Sequence, residues 1–192
     1  MFDKPILLHM LGIPGAGKTT FLNGLMAQWT HEPKPFLLGF DQVMQSLPAY
    51  QNNPDKIAAF AACELPAREA GYKMLDELIA ARSNILFDNG GSAATHIDIL
   101  RRAQSVGYRI ILVSIKTDID DARKRVDSRA ISEGRHTPMT YLDDRARKLA
   151  ELEADYRALT PHFYEMYNDG QDFAAFQNAC INMADNILRD LG

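Results

Sequence analysis

The stretch Pro5-Ile6-Leu7-Leu8-His9-Met10-Leu11-Gly12-Ile13-Pro14-Gly15-Ala16-Gly17-Lys18-Thr19-Thr20 decides the fold. Its first part, Pro5–Leu11, is apolar without alternation, as expected for a strand buried on both faces. Gly12 to Thr19 then satisfy G-x-x-x-x-G-K-[ST] at each fixed position, and a segment of helical period follows near 17–29. Strand, glycine-rich turn and helix together form an anion-binding loop. Glycines let backbone N–H groups face inward, and the helix points its positive end at the same place. The predicted nucleotide-binding set is Gly12, Pro14, Gly15, Ala16, Gly17, Lys18, Thr19 and Thr20. Lys18 reaches the β- and γ-phosphates, and the Thr19 hydroxyl is a ligand for Mg²⁺. The expected cofactors are ATP and Mg²⁺.

Outward from this loop, short apolar runs alternate with longer helical segments. Further strands are expected at Phe36–Phe40, Asn84–Asp88 and Arg109–Ile115, with a weaker one at His162–Tyr167. Helices are expected near 55–82, 95–106, 118–133, 139–159 and 173–190. This repetition predicts a three-layer α/β/α sandwich on a parallel sheet, of the P-loop kinase type. With 192 residues, 46% hydrophobic and 24% charged, one domain over 1–192 is expected, with a lid around 118–138. No apolar run approaches the ~18 residues of a membrane helix, and the N-terminus lacks a signal-peptide layout. Cys63 and Cys180 are too few for a disulfide framework. The chain reads as cytoplasmic, without a membrane or nucleic-acid polymer as partner.

The net charge of −4 hides an uneven distribution. Residues 1–100 carry 7 basic and 10 acidic side chains, and residues 149–192 carry 2 and 8, whereas residues 101–148 carry 12 and 7. A locally basic third fits a lid that closes on one compact polyanion. Arg129 and Arg135 flank or lie in a segment bracketed by Gly134 and Pro138, and they are the predicted lid arginines. A planar guanidinium stays charged and donates bidentately to phosphate oxygens. Arg123 and Arg125 read instead as a solvated face paired with Asp120, Asp121 and Asp127.

Two carboxylates complete the expected site. Asp88 ends the run Ile85-Leu86-Phe87, where a metal-supporting carboxylate belongs, although Asp-Asn-Gly is also a turn signal. Asp41 follows Phe36–Phe40, where an acceptor hydroxyl would lie, and is the predicted general base; the alternative is a helix cap. A small-molecule kinase needs these groups. A nucleotide-dependent binding switch is the rival: Asp88-Asn89-Gly90-Gly91 satisfies Asp-x-x-Gly. Ile115, before Lys116-Thr117-Asp118, stands where a guanine-reading Asn is required.

The chain resembles the zeta toxin family of P-loop kinases. The resemblance rests on Gly12–Thr20, the lone Asp41, Arg68 on the long following helix, Arg129 with Gly134-Arg135-His136-Thr137-Pro138, and Tyr167-Asn168-Asp169-Gly170. It implies ATP-dependent phosphorylation of a UDP-aminosugar hydroxyl, with Asp41 as base and Arg129 and Arg135 on the phosphates. It also implies Asn168 near the adenine and a small antitoxin protein as partner. Gly39-Phe40-Asp41-Gln42-Val43-Met44-Gln45-Ser46-Leu47-Pro48 is similar to the base-bearing segment of chloramphenicol phosphotransferases, which gives an antibiotic-modifying O-phosphotransferase as the alternative. Where zeta toxins carry a Glu-Gly-Thr-type sequence, this chain reads Asp88-Asn89-Gly90-Gly91-Ser92. Arg68 and Asn89 are the further candidates for acceptor contact, in a pocket shaped by residues 43–72 and 89–96.

The remaining chemistry-bearing residues are read as structural. His9 is expected to be a satisfied core residue, and Trp29 core. Cys63 and Cys180 lack a basic neighbourhood that would make a nucleophilic thiol. No histidine pair has metal-ligand spacing, and Tyr141–Arg157 reads as a solvated helix.

Overall fold

The computed structural model describes residues 3–133, 139–170 and 172–191. Five strands form one parallel sheet: β1 (Ile6–Leu11), β2 (Phe36–Gly39), β3 (Ile85–Asp88), β4 (Arg109–Lys116) and β5 (Phe163–Tyr167), in the order β2-β3-β1-β4-β5. β1 is central, pairing with β3 through Leu8↔Leu86 and with β4 through Leu8↔Ile111. Every β1 side chain is buried, which explains the absence of alternation in its sequence.

Helices cover both faces, giving the expected three-layer sandwich. On one face α1 (Lys18–Gln28) and α8 (Phe173–Leu191) pack Phe21, Leu22, Leu25, Phe176 and Ile187 against Ile6, Leu8, Met10 and Val113. On the other, α4 (Lys56–Ala80) and α5 (Ala94–Ser105) bring Leu75, Ile79, Ile97 and Leu100 against Leu7, Phe87 and Leu112. Alternate β1 residues thus serve opposite layers, as strand geometry requires.

Two further helices run over the β4–β5 side: α6 (Ile119–Glu133) and α7 (Met139–Leu159). Between β2 and α4 lie two short helices, α2 (Phe40–Ser46) and α3 (Pro48–Gln51). Pro48 at the first turn of α3 starts that helix at no hydrogen-bond cost. Phe40, expected as the end of β2, instead opens α2. Its ring stands where a Cβ on Gly71 would lie 2.4 Å away, so α2 and α4 approach closely only because position 71 has no side chain. Asp55 caps α4 by accepting from the N–H groups of Ile57 and Ala58.

β1 connects through α1 to β2 on one side, while β3 connects through α5 to β4 on the other. The C-terminal end of β1 is therefore the switch point where α/β sheets bind ligands. The phosphate loop occupies that position.

Candidate active site

The loop begins where β1 ends, and its neighbours fix its path. Gly12 N–H donates to Gly90 O at 3.1 Å, so the turn after β3 lies against the loop. A Cβ on Gly90 would stand 2.6 Å from Gly12 O, an approach only glycine permits. Gly17 caps α1 in the left-handed region at φ 104°, with the Phe176 ring 2.5 Å from where its Cβ would be. No side chain caps the α1 N-terminus and no acid occupies its first turn. Its leading N–H groups suit an anionic ligand.

Lys18 Nζ donates to Gly12 O at 2.9 Å and to Ile13 O at 3.0 Å, which keeps the ammonium over the loop. Thr19 Oγ1 donates to Asp88 Oδ2 at 3.2 Å. The two residues expected to support a metal, 69 positions apart, thus meet at the loop mouth. Their oxygen donors suit Mg²⁺, which takes one or two protein oxygens together with substrate phosphates and water.

Asp41 lies on the same rim. Gly39 pairs with Asp88 across β2 and β3, and Asp41 follows two residues later, exposed in the first turn of α2. Gly39 occupies the N-cap position, so the cap alternative for Asp41 does not hold. Asn89 Oδ1 accepts from Gly91 N–H at 3.4 Å and shapes the turn after β3. Arg68 stands on α4, partly exposed, with Glu64 at 3.6 Å.

Several residues brace the loop from behind. Asn168, 5% exposed, donates through Nδ2 to Ala16 O at 2.8 Å. Its backbone oxygen accepts from Thr117 Oγ1 and from Arg125. One N–H of the Asn168 carboxamide is thus engaged on the loop backbone. Arg125 departs from the expected solvated face. It donates to Gly15 O at 3.2 Å, Thr117 Oγ1 at 3.0 Å and Asn168 O at 2.7 Å, tying the loop to the ends of β4 and β5. Sequence reading missed it because its partners are uncharged oxygens from three separate segments. Arg123 behaves as expected, pairing with Asp120 and Asp143. Arg129 lies half-buried one turn beyond Arg125 on α6, and Arg135 falls outside the described residues.

Thr117 and Asp118 bear on the switch alternative. Asp118 caps α6 by accepting from Asp120 N–H at 2.9 Å and Asp121 N–H at 3.2 Å, and Lys116 pairs with Glu153. A carboxylate engaged as a cap is a poor base reader.

Beneath the site, His9 is fully buried and stacks on Phe87 at 4.9 Å, but among the described residues neither ring nitrogen makes a hydrogen bond of good geometry. The expectation of a satisfied core histidine is corrected: its partners are rings, and burial, with His96 nearby, pushes its pKa well below the usual value. His96 Nε2 hydrogen-bonds Tyr72 Oη at 2.9 Å. Burial, then the charges of Arg68 and Arg145, lower its pKa to about 4. Trp29 is core as expected, 4% exposed. Both cysteines are buried and free, and burial raises the Cys180 thiol to about 12. α7 is only partly the solvated helix expected. Arg147 pairs with Asp144 and Glu151, yet Tyr156 is fully buried, and its hydroxyl donates to Gly91 O at 2.8 Å.

The family model described as zeta toxin matches residues 1–154. The chain belongs to the zeta toxin family. Among solved structures, it is similar to the PezAT chromosomal toxin–antitoxin system of Streptococcus pneumoniae, with TM-score 0.63, 14% identity, and 98% of this chain and 88% of that one covered. Shikimate kinase from Acinetobacter baumannii, in complex with shikimate, aligns with TM-score 0.54 and 19% identity over 97% and 92% of the two chains. A chain of the Pnkp1/Rnl/Hen1 RNA repair complex aligns with TM-score 0.59 and 21% identity. There 81% of this zeta toxin relative is matched, but it spans only 47% of the other chain. These likenesses establish the P-loop kinase fold. No protein of curated function matches the sequence. Among the described residues, no helix is long and apolar enough to cross a membrane.

Proposed function

We propose that this zeta toxin family member is an ATP- and Mg²⁺-dependent kinase that phosphorylates a hydroxyl of a small molecule. The observation carrying this reading is the common rim on which Asp41, the Thr19–Asp88 pair and the Lys18-bearing loop stand. The bound metal would be held by Thr19 and Asp88 and would neutralise charge on the β- and γ-phosphates. The loop backbone from Gly12 to Thr20 and Lys18 bind and orient the triphosphate. Asp41 accepts the proton as the acceptor oxygen bonds to the γ-phosphorus. The bond from that phosphorus to the β–γ bridging oxygen breaks, and its electron pair leaves on ADP. Arg129 and Arg135, the latter on the segment proposed as a lid, balance charge on the transferring group.

Family membership supports a UDP-aminosugar as acceptor and a small antitoxin as partner. Asp41 serves equally in an antibiotic-modifying phosphotransferase. The Asp118 cap and Ile115 weigh against a guanine-dependent switch. Asp41→Asn is expected to lower phosphoryl transfer by about 10²–10⁴ while leaving folding and ATP binding intact. Near-normal transfer by that folded variant would exclude Asp41 as the base.

A further inference from the structure

A cavity of about 480 Å³ opens between α4, the segment after β3 and α7, lined by Arg68, Ser92, Arg145, Lys148, Glu151 and Leu152. That is the size of a small-metabolite site. Its walls are tied to the active site through short stretches of chain. Ser92 lies four residues beyond Asp88, and the intervening turn touches the phosphate loop at Gly12. α4, which carries Arg68, packs through Gly71 on the first residue of α2, next to Asp41.

The charges in the cavity are unevenly answered. Lys148 is paired with Asp144 at 2.8 Å, and Glu151 is bonded to Arg147 at 2.7 Å. Glu64 lies 3.6 Å from Arg68, beyond hydrogen-bond distance. Arg145 is different. It donates to Ser92 Oγ at 3.1 Å and lies 4.1 Å over the Tyr141 ring, and its buried Nε has no hydrogen-bond partner among the described residues. Among the described residues no carboxylate forms an ion pair with it. Stacking and the Ser92 bond fix the guanidinium plane before any ligand arrives. The neighbouring His96 is held neutral by burial and then by Arg68 and Arg145 themselves, so the positive charge facing the cavity is that of the arginines and Lys148.

We infer that Arg145 and Arg68 form a subsite for an anionic group, a carboxylate or a phosphate, on the molecule that is phosphorylated. A preset planar fork beside a second guanidinium suits an anion with two or three equivalent oxygens. The acceptor is thus a hydroxylated anion, gripped at one end by the arginines and presenting a hydroxyl toward Asp41. The word acceptor rests on the kinase reading; the anion site stands without it.

The test first saturates the full chain with Mg·AMP-PNP, so that the phosphate loop is filled. D-gluconate, D-glucose 6-phosphate and neutral D-glucose are then titrated by calorimetry against wild type, Arg145→Gln, Arg145→Lys and Arg68→Gln. Wild type is expected to bind at least one anion at least tenfold more tightly than glucose, and the tighter anion distinguishes carboxylate from phosphate. Arg145→Gln should lose about tenfold or more of that affinity, with AMP-PNP affinity unchanged. Arg145→Lys should recover only part, because ammonium lacks the fork. If Arg145→Gln does not fold, Arg68→Gln at its partly exposed position decides. Anions binding no better than glucose, or equally well to the folded variants, overturns the subsite. If the subsite holds but no hydroxylated anion is phosphorylated from ATP, the kinase reading falls instead.

Discussion

The two sides of the rim are built in opposite ways. On the nucleotide side nearly every polar group is already engaged. Lys18 bonds two loop carbonyls, Asn168 holds Ala16, Arg125 holds Gly15, and Thr19 meets Asp88. On the proposed acceptor side, around α4 and α7, cations are brought together with their charge incompletely answered, and Arg145 carries a buried Nε without a partner among the described residues. A loop that serves one invariant ligand can be braced by its own backbone. In the proposed kinase, the site that selects the acceptor leaves charge for the ligand to neutralise.

The contrast predicts where substitutions strike. Among these the largest effect is expected at Arg129, proposed to meet the transferring group: Arg129→Ala should lower turnover on the order of 10³-fold with little change in ATP affinity, read by steady-state kinetics. An equal loss in ATP affinity would instead place Arg129 among the loop braces. Asp88→Asn should cost roughly 10²-fold in turnover, partly recovered by raised Mg²⁺, because it weakens one of two protein oxygens at the metal.

Acid should destabilise the fold in part through His96, which stands beside the proposed acceptor side. His96 has a folded pKa of about 4 against 6.5 as its unfolded reference, so between these values the unfolded chain binds more protons. The contribution is complete above pH 6.5 and is lost as pH falls toward 4. From pH 7 to 5 wild type should lose about 2 kcal/mol more than His96→Gln in urea unfolding. Equal losses would mean that His96 is not held neutral. The smallest effect is expected at a brace: Asn168→Ala leaves Ala16 O unsatisfied and should cost roughly 1 kcal/mol of stability, with a modest rise in the ATP dissociation constant.

The same contrast explains what could be read from sequence. The phosphate loop was legible because Gly12–Thr19 is contiguous and the residue types at its fixed positions, Gly12, Gly17, Lys18 and Thr19, are those a phosphate demands. Asp88 was legible as a carboxylate at a strand end and β1 to β5 as apolar runs, whereas Asp41 was read as following a strand and stands instead in the first turn of α2. Arg125 was not, since nothing in its helix shows that it reaches the backbone oxygens of Gly15 and Asn168. Arg145 was hidden among the closely spaced charges of α7, where neighbours such as Arg147 and Lys148 do make ordinary surface pairs. Its distinction is tertiary: only the fold brings Ser92 and Arg68 to it. His9 read as a satisfied core residue because polarity is visible in sequence, whereas the absence of a hydrogen bond of good geometry among the described residues is not.

The most direct measurement is transfer of label from [γ-³²P]ATP, with Mg²⁺, to a panel of nucleotide sugars, hydroxy acids, sugar phosphates and chloramphenicol-like diols. Label should appear as an acid-stable phosphate ester on an anionic acceptor, one for one with ADP, and should vanish with Lys18→Ala. Tight nucleotide binding with label remaining on ATP throughout, or released only as inorganic phosphate, would contradict the account.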